Sequence, residues 1–191
     1  MNELLEKLRA LLGNKKAAPS STSPLHSIAN PRFGEAQGPS AGTTDQALRM
    51  IMQSEGFEAN AYKDKGDKPT IGYGTTGPNI KMGMPAWTKE QARDTARKHL
   101  AGDSAYFAKK GVTAPPEVLS ATYNMGKERF RKTGALDALL AGDYEGVADA
   151  IEGINTVKGK FDKGVANRRA GEVSDLRAIP QRNFRRYLTG R

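Results

Sequence analysis

Three residues of this 191-residue chain have the side-chain types and spacing for acid–base chemistry: Glu55, Asp64 and Thr70. Leu48, Ile51, Met52 and Glu55 fall at i, i+3, i+4 and i+7, so Glu55 lies on the apolar face of a helix, at its last turn. A carboxyl there is partly desolvated, which disfavours its charged form. The partial negative charge of the helix C-terminus pushes the same way. Asp64 ends a short strand beside a turn, with Lys63, Lys65 and Lys68 close in sequence, a setting that favours the ionised form. Thr70 lies across the hairpin, where its hydroxyl could face Asp64 and help hold a water. One protonated and one ionised carboxyl are the parts that hydrolysis of a glycosidic bond needs. The first protonates the leaving oxygen, and the second attacks the sugar or activates water on the opposite face. Each residue also has a plainer reading: a glutamate at a helix end is usually solvated or paired, and an aspartate in a hairpin usually serves the turn.

The elements that must position these residues can be read around them. Thr43 and Gln46 have capping-box spacing, which predicts a helix to about Ser54 or Glu55, terminated by Gly56. Residues 61–64 (AYKD) and 69–74 (PTIGYG) read as two strands around the turn KGDK. Gly72 and Gly74 suit close backbone approach or tight strand geometry rather than a phosphate loop. Tyr62 and Tyr73 alternate with small residues as hairpin core does, which favours packing over sugar stacking. Thr88 and Gln91 form a second capping-box pair, with Trp87 placed as a staple onto Ala92, and open a helix running past His99 towards Lys109. After Pro115 and Pro116 the chain reads as helices at 116–125, 133–141, 144–153 and 163–177. One helix, a small hairpin region and then helices make an α+β arrangement. No internal repeat is present.

The runs Glu55-Gly56-Phe57, Ala61-Tyr62-Lys63-Asp64 and Thr70-Ile71-Gly72-Tyr73-Gly74 closely resemble the active-site signature of phage-type lysozymes, glycoside hydrolase family 24. The spacing E-x8-D-x5-T matches that family's catalytic triad without insertion. The resemblance continues through Thr76-Gly77, Lys81, Gly83 and the helix opened by Thr88. It resumes at Tyr123-Asn124-Met125-Gly126, Gly142-Asp143-Tyr144 and Asn167-Arg168-Arg169, and so covers roughly residues 42–177. It implies a lysozyme-like two-lobed domain, a small β-hairpin lobe and a helical lobe joined by a long helix at 89–109, with a glycan strand in the cleft between them. It implies cleavage of the β-1,4 bond from N-acetylmuramic acid to N-acetylglucosamine. Glu55 takes the proton-donor position, Asp64 that of the carboxylate that activates water, and Thr70 that of the water-positioning hydroxyl. Thr76, Tyr123 and Thr133 match positions that contact sugar, and Arg168 matches an arginine that pairs with the catalytic glutamate. That pairing opposes the effect of burial on Glu55. Two departures concern the subsites: Thr75 stands where histidine is common, and a sugar-binding amide after Asp143 is replaced, by Ala150 in a loose alignment.

The ends of the chain fall outside the resemblance. Residues 2–12 (NELLEKLRALL) carry a leucine stripe on one helical face and are stopped by Gly13 and Asn14. Residues 1–13 are therefore expected to form an amphipathic docking arm, with packing on the chain's own domain as the alternative. Residues 14–41 have Pro/Ser/Ala/Gly-rich linker composition. From Arg177 to Arg191 there are five arginines and no acid, and residues 178–191 read as a basic tail. The chain has no cysteine and a formal net charge of +9. Disulfides and thiolate metal sites are thereby excluded, and attraction to polyanions is favoured. His26 and His99 stand apart, so no metal or cofactor is expected. No apolar run approaches the roughly 20 residues of a membrane span, and the N-terminus lacks a secretory signal pattern.

Several functions compete. The first is an active muramidase acting on peptidoglycan. The second is a lytic transglycosylase, which Asp64 and Thr70 argue against. The third is a structural or wall-binding virion protein with a vestigial domain. Nucleic-acid binding through the tail has only charge behind it, and no specific nucleic-acid partner is expected. The arm favours a virion-associated enzyme that meets other virion proteins through its N-terminal helix. The alternative is a free endolysin made in the host cytoplasm and released by a holin.

Overall fold

The structure, a computed structural model, describes residues 41–180. The expected docking arm, all of the linker but its last residue, and nearly all of the basic tail lie outside the described residues. Helix α1 (Ala41–Glu55) leads into strands β1 (Glu58–Lys63), β2 (Pro69–Gly72) and β3 (Thr75–Thr76), then the long helix α2 (Lys89–Ala108). Helices α3 (Pro116–Met125), α4 (Lys127–Lys132), α5 (Ala135–Leu140) and α6 (Tyr144–Glu152) follow. A hairpin of β4 (Thr156–Val157) and β5 (Lys160–Phe161) precedes the last helix, α7 (Lys163–Ala178). This is the expected α+β arrangement, with two small antiparallel sheets and a helical body.

Helix α1 buries Ala47, Leu48 and Ile51 on its inner face, which fixes the direction in which its last residue, Glu55, projects. Gly56 follows with φ +70°, a left-handed turn that releases the chain from the helix. Thr43 lies inside α1 rather than at its cap, so the helix begins further back than the capping-box spacing predicts.

The first sheet has the order β1-β2-β3, antiparallel throughout, with Tyr62 opposite Thr70 and Thr70 opposite Thr76. Helix α2 packs on β2 and β3 and also on α1 and α3, so it spans the β part and the helical part. Its capping box is complete: the Gln91 amide donates to Thr88 Oγ1 at 3.2 Å, and the Thr88 amide donates to Gln91 Oε1 at 2.8 Å. Its buried face changes from small to large along its length, Ala92 and Ala96 first, then Leu100 and Phe107. The small end lets the sheet approach closely. A Cβ on Gly72 would lie 2.8 Å from that of Ala92, so the glycine is required there.

The helical body closes around α3, which is buried without a break from Glu117 to Tyr123. Phe107 of α2 and Phe130 of α4 meet edge to face, 5.8 Å between centroids, in the centre of the core. Truncating Phe107 to alanine would cost about 3–5 kcal/mol.

Three details differ from the sequence expectation. The helix expected at 133–141 is the shorter α5, and α4 at Lys127–Lys132 was not expected; Thr133 and Gly134, whose φ is +84°, separate the two. The β4–β5 hairpin was not expected, because residues 154–162 show no alternation of apolar and polar residues. Arg177, the last residue of the helix expected at 163–177, has contacts that the sequence did not reveal: it meets Glu152, Asp149 and Glu145 of α6, which raise its pKa through hydrogen bonds.

Candidate active site

A cleft of about 700 Å³ lies where the end of α1, the β1–β2 turn, the end of α3, the β4–β5 hairpin and the start of α7 meet. Glu55 and Asp64 both line it, as does Arg168.

Glu55 is fixed from two sides. Nη1 of Arg168, an arginine whose side chain is only 7% exposed, stands 2.6 Å from Glu55 Oε1. The N–H direction is not aligned on that oxygen, and Nε has no partner either, so the pair is held by charge at contact distance. On the other side stands Gly74, with φ +74°: a Cβ there would lie 3.0 Å from Glu55 Cδ. The close approach expected of Gly74 thus has a definite object, the carboxyl itself. Oε2 of Glu55 has no hydrogen-bond partner among the described residues, and the side chain is 24% exposed.

Asp64 stands one residue beyond β1 and organises the turn. Its Oδ1 accepts from the amides of Gly66 and Lys68, both at 2.8 Å, and its own amide donates to the carbonyl of Lys68 at 3.0 Å. The plain reading, turn chemistry, therefore accounts for Oδ1. Oδ2 takes no hydrogen bond among the described residues and remains available to the cleft. A carboxylate with one oxygen anchored and one free suits positioning and reaction together.

Tyr62 records the convergence of the two acids. It lines the cleft at 37% exposure, so it is not the packed hairpin residue that the sequence suggested, whereas Tyr73 is buried. Burial raises the pKa of its phenol, and the charges of Glu55, Asp64 and Glu58 raise it further. One hydroxyl thus feels both carboxylates.

The other residues expected at the site are placed away from the cleft wall. Thr70 is buried, and its hydroxyl donates to the carbonyl of Lys68 at 3.0 Å, bracing the turn that holds Asp64. Tyr123 is buried, donates to the carbonyl of Tyr73 at 2.9 Å, and lies 3.3 Å from the hydroxyl of Thr75. Thr75, the departure at the histidine position, thereby joins a buried link between β3 and α3. Thr133 caps α4, donating to the carbonyl of Phe130 at 2.8 Å. Thr76 is exposed on β3.

Sequence reasoning gave no role to several residues that do line the cleft, among them Asn124, Arg129, Ile154 and Lys158. Asn124 sits in the Tyr123–Gly126 run, so the signal that could have found it is local. Ile154 and Lys158 belong to the hairpin region that carries no pattern. Two ion pairs join this hairpin region to the β1–β2 turn: Lys65 with Asp162 and Lys158 with Asp67. Among the described residues no helix is long and apolar enough to cross a membrane.

Comparison with known proteins points to one family and one fold. The family model described as phage lysozyme matches residues 52–172. Among solved structures, the chain is similar to an endolysin from the Escherichia coli O157:H7 phage FAHEc1. That match has 32% identity and a TM-score of 0.59, and covers 75% of this chain and 95% of that one. The muramidase domain of SpmX from Asticaccaulis excentricus matches at 24% identity and a TM-score of 0.57, over 70% of this chain and 95% of that one. The active form of the P1 phage endolysin Lyz matches at 18% identity and a TM-score of 0.57, over 70% of this chain and 83% of that one. The last two show likeness of fold. Nothing among the curated proteins matches. With the model matched over more than half of its length, the chain belongs to the phage lysozyme family.

Proposed function

We propose that this protein is a muramidase that hydrolyses the β-1,4 bond between N-acetylmuramic acid and N-acetylglucosamine in bacterial peptidoglycan. The observation that carries the reading is the shared cleft of Glu55 and Asp64, each with one oxygen tied down and one unpartnered among the described residues. Glu55, in its acid form, protonates the glycosidic oxygen as the bond to the anomeric carbon breaks. Asp64 takes a proton from water through Oδ2, and that water attacks the anomeric carbon from the opposite face, inverting it. Proton transfer by placed side chains of this kind contributes roughly 100- to 10,000-fold. Arg168 sets the position of the Glu55 carboxyl. Thr70 acts through the turn: its bond to Lys68 supports the loop whose amides hold Asp64. Family membership and the likeness to the FAHEc1 endolysin support the substrate class.

Mass spectrometry of digested peptidoglycan tests the reaction. Products ending in reducing muramic acid are expected, and anhydro-muramic ends would instead mark a lytic transglycosylase. For delivery, the leucine pattern of residues 2–12 and the linker composition after it favour a virion-associated enzyme. The chain should then be found in purified particles; its absence from them, with lysis dependent on a holin, would favour the free endolysin.

A further inference from the structure

Arg168 and Arg169 are neighbours on α7 but serve different partners. Arg168 reaches Glu55, whereas Arg169 is fully buried and its guanidinium ends on three acceptors. These are the carboxylate of Glu172, Oδ1 of Asn124 at 3.1 Å from Nη2, and the carbonyl of Ile154 at 3.5 Å from Nε. An arginine can only donate. The atom of Asn124 that faces it is therefore the amide oxygen, and Nδ2 is left on the other side. Asn124 is exposed and lines the cleft, and among the described residues nothing accepts its Nδ2 hydrogens. A buried cation thus fixes the orientation of a cleft amide and leaves its donors for a ligand.

Beside this amide, Met125, Ile154 and Val165 also line the cleft, each half-buried. The backbone of Ile154 is held by the same guanidinium, so Arg169 fixes the donor and one part of the apolar wall together. An oriented N–H beside an apolar wall complements an acetamido group, whose carbonyl accepts and whose methyl is apolar. A bare hydroxyl at the same carbon offers no methyl and no oxygen at that reach.

We propose that Asn124, oriented by Arg169, recognises the acetamido carbonyl of a 2-acetamido sugar, with the methyl against Ile154 and its neighbours. Asn124 is then the specificity-determining residue, and Arg169 is a positioning residue. The ligand class rests on the muramidase reading.

The test uses the full chain carrying Glu55→Gln, so that binding is read without turnover. It is titrated by calorimetry with the β-1,4 hexamer of N-acetylglucosamine and with cellohexaose. Both are neutral and share a backbone, and at carbon 2 they differ only in acetamido against hydroxyl. The acetamido hexamer should bind about tenfold tighter or better, the scale of one oriented hydrogen bond with its apolar contact. Adding Asn124→Asp keeps an acceptor for Arg169 and removes the donors, so that preference should fall close to unity with an unchanged melting temperature. Asn124→Ala, which deletes the amide, should lower the preference in the same way. Equal binding of the two hexamers, or a preference that survives both substitutions, overturns the proposal. Turnover of peptidoglycan by the unsubstituted chain is measured separately. If no reducing ends appear while the acetamido preference holds, the hydrolase reading fails and the recognition by Asn124 stands.

Discussion

Arg168 meets Glu55 at the wall of the cleft, Nη1 to Oε1 at 2.6 Å, with the arginine almost wholly out of solvent. Removing it leaves a carboxyl facing unfilled space and frees its position. We predict that Arg168→Ala lowers peptidoglycan-clearing activity at least about tenfold and stability by about 1–2 kcal/mol. That is less than the cost of about 3–5 kcal/mol for breaking a fully buried pair, because the Glu55 side chain is 24% exposed. Arg168→Lys keeps the charge on a different geometry and should restore stability more than activity. Denaturant melts and turbidity assays on the same preparations separate the two; equal recovery of both would show that charge alone is needed.

Gly74 offers a test of how closely the carboxyl must be placed. Gly74→Ala introduces strain at φ +74° and sets a Cβ 3.0 Å from Glu55 Cδ, inside ordinary van der Waals contact. Gly111 is the control, since it has φ +83° and nothing within 4 Å of an added Cβ. Both substitutions should cost about 1–2 kcal/mol of stability from the left-handed backbone. Only Gly74→Ala should also reduce turnover severalfold. Matching activity losses in the two variants would mean that backbone strain, not displacement of Glu55, is responsible.

The ion pairs Lys65–Asp162 and Lys158–Asp67 predict an acid-sensitive link between the β1–β2 turn and the β4–β5 hairpin. Hydrogen bonding to Lys65 lowers the pKa of Asp162, and hydrogen bonding to Lys158 lowers that of Asp67, both from an ordinary value of 3.8. A carboxyl lowered on folding stabilises the folded form above its ordinary pKa, and the contribution is lost as pH falls through the lowered value. Hydrogen exchange of the hairpin amides should therefore accelerate as pH drops below about 3.8, after correction for the intrinsic rate. The double substitution Lys65→Met, Lys158→Met should show fast corrected exchange at all pH values. A hairpin whose corrected protection is the same in both proteins at neutral pH would rule the link out. Added salt should weaken it as well, since the pairs are at the surface.

How much of this was legible in the sequence depends on whether a residue's environment is local. The capping box of Thr88 and Gln91 was readable because its bonds span three residues, and the order of helix, strands and helices followed from it and the turn signals. Glu55 and Asp64 were readable as a pair, since one ends an apolar helical stripe and the other opens a lysine-flanked turn. Arg169 was not. On α7 the buried positions are Arg169, Glu172, Val173 and Leu176, at i, i+3, i+4 and i+7. Two of the four are charged, so the stripe is invisible to an apolar count. The Arg–Glu pair at i, i+3 inside that stripe is the signal that could have found it. The sugar-contact residues Tyr123 and Thr133 came from the resemblance. The Tyr123 hydroxyl is engaged by a carbonyl 50 positions away, which the sequence does not reveal, and that of Thr133 by the carbonyl of Phe130, at the end of a helix that was not expected.

The most direct test concerns the two acids themselves. Glu55→Gln and Asp64→Asn are nearly isosteric, and an asparagine oxygen can still accept from the amides of Gly66 and Lys68. Release of reducing ends from purified peptidoglycan should fall at least about a hundredfold in each, with melting temperatures within a few degrees of the unsubstituted chain. Undiminished release by a folded Glu55→Gln chain would contradict the account.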